Sequence, residues 1–205
     1  MNNRKVFCVG LNKTGTSSLH EAFRILDLKS AHFKDDEGNN IKDMILKNYL
    51  EGNNIIKGLE KYEAFSDWDK AQHTVDIVKE FDKQYPGSKF ILNTRDMNSW
   101  LDSREKHIKG NQERKMKNPN EDITWLEIDR RGWEIQFEKH YAEVLEYFED
   151  REEDLLVFDV IKGDDWKKLC PFLNLPIPTV SFPKKNVASQ KTSFKKFLNK
   201  LKRFR

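Results

Sequence analysis

The pattern of apolar and polar residues predicts short buried strands spread along the chain. Three runs of β-branched and aromatic residues, at 6–9, 89–94 and 155–158, are typical of buried strands. A weaker run at 29–33 predicts a further short strand, and residues 64–68 form either a loop or another short strand.

Between these strands, apolar residues recur at the spacing of amphipathic helices. Gly52 and the Pro86-Gly87 pair end two of these helices. A polar, highly charged stretch at 109–121 predicts a mobile loop or lid. Helices are predicted at 16–26, 41–50, 55–62, 71–85, from about 97 through 103, and at 123–149, 166–173 and 193–205.

The alternation of strands and helices indicates an α/β fold with a central parallel sheet of about four to five strands. Ligands of such folds bind beyond the carboxyl ends of the strands. Lys13, Arg95 and Asp159 each follow a predicted strand, so we expect them to meet at that edge. The 205 residues fit one domain, assigned to 1–186, followed by a basic amphipathic tail at 187–205.

Charge is unevenly distributed along the chain. Nine of its 37 Lys and Arg residues lie between Lys184 and Arg205, where there is no acidic residue, so the preceding part carries 28 basic and 34 acidic side chains. An acidic body with a basic tail is not typical of nucleic-acid-binding proteins, and no nucleic-acid partner is expected. The tail either packs on the domain or makes peripheral contact with an anionic membrane.

The remaining composition favours a cytoplasmic location. No apolar run approaches the ~20 residues of a membrane span, and the chain enters its first strand without a signal peptide. Cys8 and Cys170 lie in predicted buried elements and lack the spacing of metal ligands. They are expected to be free thiols in a reducing compartment.

The segment from Lys5 to Leu19, KVFCVGLNKTGTSSL, predicts an anion site. A strand leads into a turn between Gly10 and Gly15, and a helix begins directly afterwards. The unpaired N–H groups of a helix N-terminus and its dipole attract anions, and Lys13 adds a full positive charge. The expected ligand group is a phosphate or a sulfate.

This turn departs from the Walker A motif, because Thr16 stands where the motif has its lysine. The sequence GLNKTGTSSL after a strand resembles the phosphosulfate loop of sulfotransferases that use 3′-phosphoadenosine 5′-phosphosulfate (PAPS). The resemblance implies a P-loop-NTPase-like three-layer fold, PAPS as donor, adenosine 3′,5′-bisphosphate (PAP) as product, and no metal. It implies that the loop residues Asn12, Lys13, Thr14, Gly15, Thr16, Ser17 and Ser18 bind the donor.

A second part of the resemblance follows the middle strand. Arg95 ends that strand, and Ser99 and Ser103 share one face of the following helix. The pair Arg95 and Ser103 resembles the 3′-phosphate clamp of the same family. Residues 163–173 and 182–186 also resemble the C-terminal part of compact sulfotransferases. The aromatic residue with which larger members stack on adenine is replaced here by Ser18.

The resemblance implies transfer of a sulfuryl group to a hydroxyl or amine of a small molecule or glycan. Lys13 would stabilise the leaving phosphate. Asp67, flanked by apolar residues, is the candidate general base, and His32 is the alternative. We expect Asp159 to cap a turn or to orient Lys13 or Arg95. The other histidines are expected on helix surfaces: His20, His73, His107 and His140.

Two other functions remain compatible with the sequence. In a P-loop kinase acting on a small molecule, Asp159 would organise Mg²⁺ as a Walker B residue does. A non-catalytic nucleotide-binding or membrane-associated module would keep the fold without the chemistry. The acceptor and the oligomeric state have no decisive signature in the sequence.

Overall fold

A computed structural model describes residues 4–69 and 73–185 of the chain. Within these ranges it contains one five-stranded sheet and six helices. The strands are β1 (Val6–Cys8), β2 (Ser30–His32), β3 (Ala64–Ser66), β4 (Lys89–Asn93) and β5 (Leu155–Phe158). The helices are α1 (Thr16–Ile25), α2 (Ile41–Leu50), α3 (Thr74–Gln84), α4 (Met97–Lys117), α5 (Arg130–Tyr147) and α6 (Trp166–Leu173).

All strand pairs are parallel, and the spatial order is β2-β3-β1-β4-β5. From β1 the chain continues to β2 at one edge of the sheet, and from β4 it continues to β5 at the opposite edge. The carboxyl ends of β1 and β4 therefore flank a topological switch point, where open α/β sheets bind their ligands. The predicted parallel α/β fold is confirmed.

Two apolar clusters cover the two faces of the sheet and give three layers. Successive residues of β1 face opposite sides: Phe7 packs with the helices α2 to α5, whereas Val6 and Cys8 pack with α1 and α6. Phe7 is central to the larger cluster, because its ring stacks on Phe81 at 4.0 Å and contacts Phe65 and Phe90. Cys8 and Cys170 are buried and unbonded, as expected.

Three predicted segments were wrong. Residues 55–62 form successive turns instead of a helix, because Gly58 adopts a left-handed φ of 83°. The predicted loop at 109–121 is helical up to Lys117. Residues 123–129 precede α5 instead of belonging to it, because Asp129 accepts a hydrogen bond from the N–H of Gly132 and so caps that helix.

The extension of α4 has a tertiary cause. The segment before α5 lies back along this helix, and two of its backbone carbonyls accept hydrogen bonds from α4 side chains. Asn111 donates to Trp125 at 3.0 Å, and Gln112 donates to Leu126 at 2.7 Å. The polar residues that indicated a loop are therefore the ones that hold the two segments together. The predicted tail lies outside the described residues.

The close approach of β1 and β4 generates a stability prediction. A Cβ atom added at Gly10 would lie 1.8 Å from the backbone oxygen of Asn93, which belongs to the sheet and cannot move aside. Gly10→Ala should therefore lower the free energy of unfolding by about 3 kcal/mol or more. Urea denaturation followed by circular dichroism measures this change.

Gly110 provides the matched control. It lies inside α4, and a Cβ added there meets nothing within 4 Å. Gly110→Ala should leave the stability unchanged or raise it by about 0.5–1 kcal/mol. Equal effects of the two substitutions would contradict the close approach at Gly10.

Candidate active site

The loop between β1 and α1 has a rigid, unusual backbone. Lys13 adopts a left-handed φ of 66°, and Gly15 has a φ of 100°. The Thr14 hydroxyl is fully buried and donates to the carbonyl of Leu11. Thr14 therefore lies wholly inside the turn, whereas the neighbouring Lys13 is half-buried.

Asn93, at the end of β4, fixes the shape of this loop. Its Oδ1 accepts from the N–H of Gly10 at 3.0 Å, and its Nδ2 donates to the Thr14 hydroxyl at 2.6 Å. The Tyr141 hydroxyl donates to its backbone carbonyl at 2.8 Å. Asn93 is fully buried, so these bonds are shielded from water and stabilise one loop conformation. No sequence motif predicted this role, although an amide within an apolar strand was a visible signal.

The start of α1 has the properties of an anion site. Gly15 is its N-cap residue and offers no side chain that could accept a hydrogen bond from the first turn. The first N–H groups of a helix lack intrahelical partners, so those of Thr16 and Ser17 can bind an anion beside the loop. The Ser18 hydroxyl instead accepts from the backbone N–H of Lys185 at 3.0 Å, which brings the C-terminal segment to this helix.

Arg95 lies directly against the loop. Its Nη1 donates to the carbonyl of Lys13 at 3.0 Å, and its Nη2 donates to the Ser99 hydroxyl. Burial lowers the pKa of Arg95, and the carboxylate of Asp159 partly offsets this effect. The structure therefore brings Lys13, Arg95 and Asp159 together at one sheet edge, as predicted. Ser103 is half-buried one turn beyond Ser99 and has no described bond to Arg95.

Asp67 and His32 lie on the other side of the loop, at the ends of β3 and β2. Their side chains are 22% and 20% exposed, and Oδ2 of Asp67 is 3.9 Å from Nε2 of His32. The same His32 nitrogen is 3.3 Å from the Thr16 hydroxyl. Burial raises the pKa of Asp67, and the positive charges of Lys42 and Lys13 partly counteract this rise. A carboxylate of raised pKa near Lys13 can accept a proton beside the loop.

Comparison with known proteins decides the family. A model of the sulfotransferase domain family matches residues 5–135 and 124–191, which together cover most of the chain. This chain belongs to the sulfotransferase domain family. A curated relative is Ava biosynthesis cluster protein M from Aspergillus versicolor, which is 26% identical over 217 residues, covering 87% of this chain and 79% of the relative.

Two histidines of this sulfotransferase-domain protein are less exposed than the sequence indicated, whereas His107 is exposed on α4 as predicted. His140 is buried, and its Nε2 is 2.7 Å from the carbonyl of Val9, so its prediction as a surface residue was wrong. Its position seven residues after Trp133, on the apolar side of α5, was the missed signal. His20 is half-buried beside Ser30, and burial and the neighbouring His32 lower its pKa to about 4.

Asp159 caps a turn, which was one of its two expected roles. Its Oδ1 accepts from the backbone N–H groups of Ile161 and Lys162, at 2.9 and 3.0 Å. Among the described residues, no group of three or more His, Cys, Asp or Glu side chains is arranged to hold a metal ion. The same part of the chain contains no helix long and apolar enough to cross a membrane.

Asp69 is a site residue that the sequence did not reveal. Asn12 donates from Nδ2 to Oδ2 of Asp69 at 3.3 Å, and Trp100 donates from Nε1 to the Asn12 carbonyl at 2.8 Å. Asp69 thus braces the loop through Asn12, whereas Asn93 holds it through Gly10 and Thr14. Its Oδ1 is buried without a hydrogen-bond partner.

The buried carboxyl of Asp69 should make stability depend on pH. Burial raises its pKa, with a further contribution from Asp67, so the native state keeps this proton to higher pH than the unfolded chain. Stability should therefore fall as pH rises from the ordinary Asp value of about 4 through the raised pKa. Asp69→Asn should flatten this dependence and raise stability at pH 8, measured by urea denaturation at several pH values. An unchanged pH dependence would contradict this role of Asp69.

Proposed function

We propose that this protein transfers a sulfuryl group from PAPS to a hydroxyl or amine of a small molecule or glycan. The observation that carries the proposal is the direct contact of the Arg95 guanidinium with the Lys13 carbonyl. This contact supports an arrangement in which the two cations lie beside one helix N-terminus and would meet the two anionic groups of a single nucleotide. Sulfotransferases generally use PAPS as donor, which supports this choice.

The loop suits the phosphosulfate end of the donor. Gly15 has a left-handed φ that other residues rarely adopt, and as the N-cap residue it brings no side chain to the first turn of α1. When bound, PAPS supplies a sulfuryl group on a phosphate leaving group. Lys13 and the N–H groups of Thr16 and Ser17 would hold the phosphosulfate end and oppose its negative charge. Arg95, supported by Ser99, would hold the 3′-phosphate through its planar fork.

Asp67 is our candidate for the general base. It ends β3 beside the loop, and its carboxylate is an electrostatic neighbour of Lys13. Such a carboxylate would accept the proton of the acceptor hydroxyl at one of its Oδ atoms. His32 lies 3.9 Å from Oδ2 and would orient this carboxylate or replace it as base. The name of the A. versicolor relative refers to a biosynthesis cluster, which favours a small-molecule acceptor.

The assignment of Arg95 is tested with two nucleotides. Arg95→Ala should weaken PAP binding about 10- to 100-fold, because a charge-assisted hydrogen bond to a buried anion contributes about 1.5–3 kcal/mol. Binding of adenosine 5′-phosphate, which lacks the 3′-phosphate, should change little. Calorimetric titration in EDTA measures both affinities. The matched control is Arg131→Ala, because Arg131 is exposed. Equal losses of affinity for the two nucleotides in Arg95→Ala would remove Arg95 from the 3′-phosphate site.

Replacing Lys13 should impair the transfer reaction without changing the stability of the protein. Lys13→Ala should reduce transfer about 10²- to 10³-fold, with the thermal midpoint unchanged, because it removes a charge that acts in the transition state. Lys162→Ala, at an exposed position of the same sheet edge, is the control and should keep full activity. Retained turnover in Lys13→Ala would contradict its role.

Asp67→Asn should lower kcat about 10²-fold or more and leave the PAP affinity nearly unchanged. A base acts only when it is deprotonated, so wild-type activity should rise with pH through the raised pKa of Asp67. This rise, the acidic limb of the pH–rate profile, should be absent in Asp67→Asn, as measured by initial rates over a pH series. Asp122→Asn, at an exposed position, is the control. An acidic limb that persists in Asp67→Asn would transfer the role to another group.

A further inference from the structure

Arg104 is a buried cation enclosed by three tryptophan rings. It lies on α4 and is only 8% exposed. Its guanidinium carbon lies 5.0 Å from the ring centre of Trp100, 5.1 Å from that of Trp125 and 4.9 Å from that of Trp133. Such rings attract a cation through their faces and hold a planar guanidinium in one orientation.

Hydrogen bonds within the described structure satisfy only part of this guanidinium. Nη1 donates to Oε1 of Gln136 at 3.0 Å, whereas Nε is buried and has no partner. In the described part of the chain no carboxylate lies within 4.0 Å of Arg104. Asp69 and Asp129 act on it only at longer range, and burial lowers its pKa to about 10. A buried charge without an ion pair costs stability, so such a residue needs a compensating role.

Arg104 lines a cleft with a volume of about 900 Å³. The cleft lies between α3, α4 and α5, and Trp133, Gln136 and His140 form part of its wall. Leu11 also lines it and directly precedes Asn12 and Lys13. Trp100, which contacts Arg104, donates to the Asn12 carbonyl. The cleft thus adjoins the loop at Leu11.

We propose that Arg104 binds a carboxylate of the acceptor, so that this protein acts on acidic molecules that carry a hydroxyl or amine. The inference rests on the proposed function, because it takes the cleft as the acceptor site. A planar fork with unused N–H donors matches the two oxygens of a carboxylate. The anionic groups of the donor are accounted for by Lys13 and Arg95, so Arg104 is left for the acceptor. The tryptophan rings keep the fork in place before the ligand arrives.

Matched pairs of probes test this specificity. Three hydroxy acids, 4-hydroxyphenylacetate, 3-hydroxybenzoate and 4-hydroxybenzoate, are titrated beside their neutral amides, with and without PAP. The full chain is used, and tryptophan fluorescence reports occupancy of the cleft. At least one acid should bind about tenfold or more tightly than its amide, which corresponds to about 1.4 kcal/mol. Equal affinities within every pair, or no binding of any acid, would overturn the proposal.

Three variants assign this discrimination to Arg104. Arg104→Met fills the cage without charge and should abolish the preference for the acid, with a thermal midpoint equal to or above that of the wild type. Arg104→Lys keeps the charge, loses the fork and should retain only part of the preference. The control Lys139→Met removes an exposed cation from the same cleft and should leave the preference intact.

The results also separate this proposal from the proposed function. PAP affinity should be unchanged in Arg104→Met, because the two sites use different residues. A wild-type protein that fails to bind PAP but prefers the acids would refute PAPS-dependent transfer and leave the Arg104 site standing. A preference that persists in both Arg104 variants, or is lost equally in Lys139→Met, would refute the Arg104 site alone.

Discussion

The hydrogen bonds of Asn93 are the constraint on which the rest of the site depends. One buried amide holds Gly10 through its oxygen and Thr14 through its nitrogen, so the turn between β1 and α1 is fastened to the neighbouring strand. Gly10 allows the contact because no side chain could fit there. The two strands that flank the switch point thus determine where the backbone of Lys13 lies. In the proposed function, the helix N-terminus and Arg95 would act on a ligand only because this turn is held in place.

Much of this arrangement could be predicted because strand ends are marked by local sequence. Buried apolar runs end at Val9 and Asn93, and Lys13 and Arg95 follow at short distances, so a parallel sheet necessarily places them at one edge. The bounds of α2 and α6 were also predictable. An apolar stripe, a side-chain cap and a breaking residue agree there, so tertiary contacts had no local preference to override.

Features that depend on packing between distant segments could not be predicted in the same way. The polar residues at 109–121 indicated a loop, yet Asn111 and Gln112 bond to a segment that follows α4, and the chain is helical up to Lys117. Arg104 had no signature in the sequence, because its tryptophans come from three separate places along the chain. Asp69, two residues after the predicted base, was likewise indistinguishable from a surface acid until its bond to Asn12 was seen.

The central claim is that one nucleotide is bound at both of its anionic groups without a metal ion. Phosphorus NMR of PAP observes the two phosphates as separate resonances and therefore tests this claim directly. When PAP is titrated with the wild-type protein in EDTA, both resonances should shift. Lys13→Ala should mainly lose the shift of the 5′-phosphate resonance. Arg95→Ala should mainly lose the shift of the 3′-phosphate resonance. Resonances that stay unshifted at saturating protein, or that shift only after Mg²⁺ is added, would contradict it.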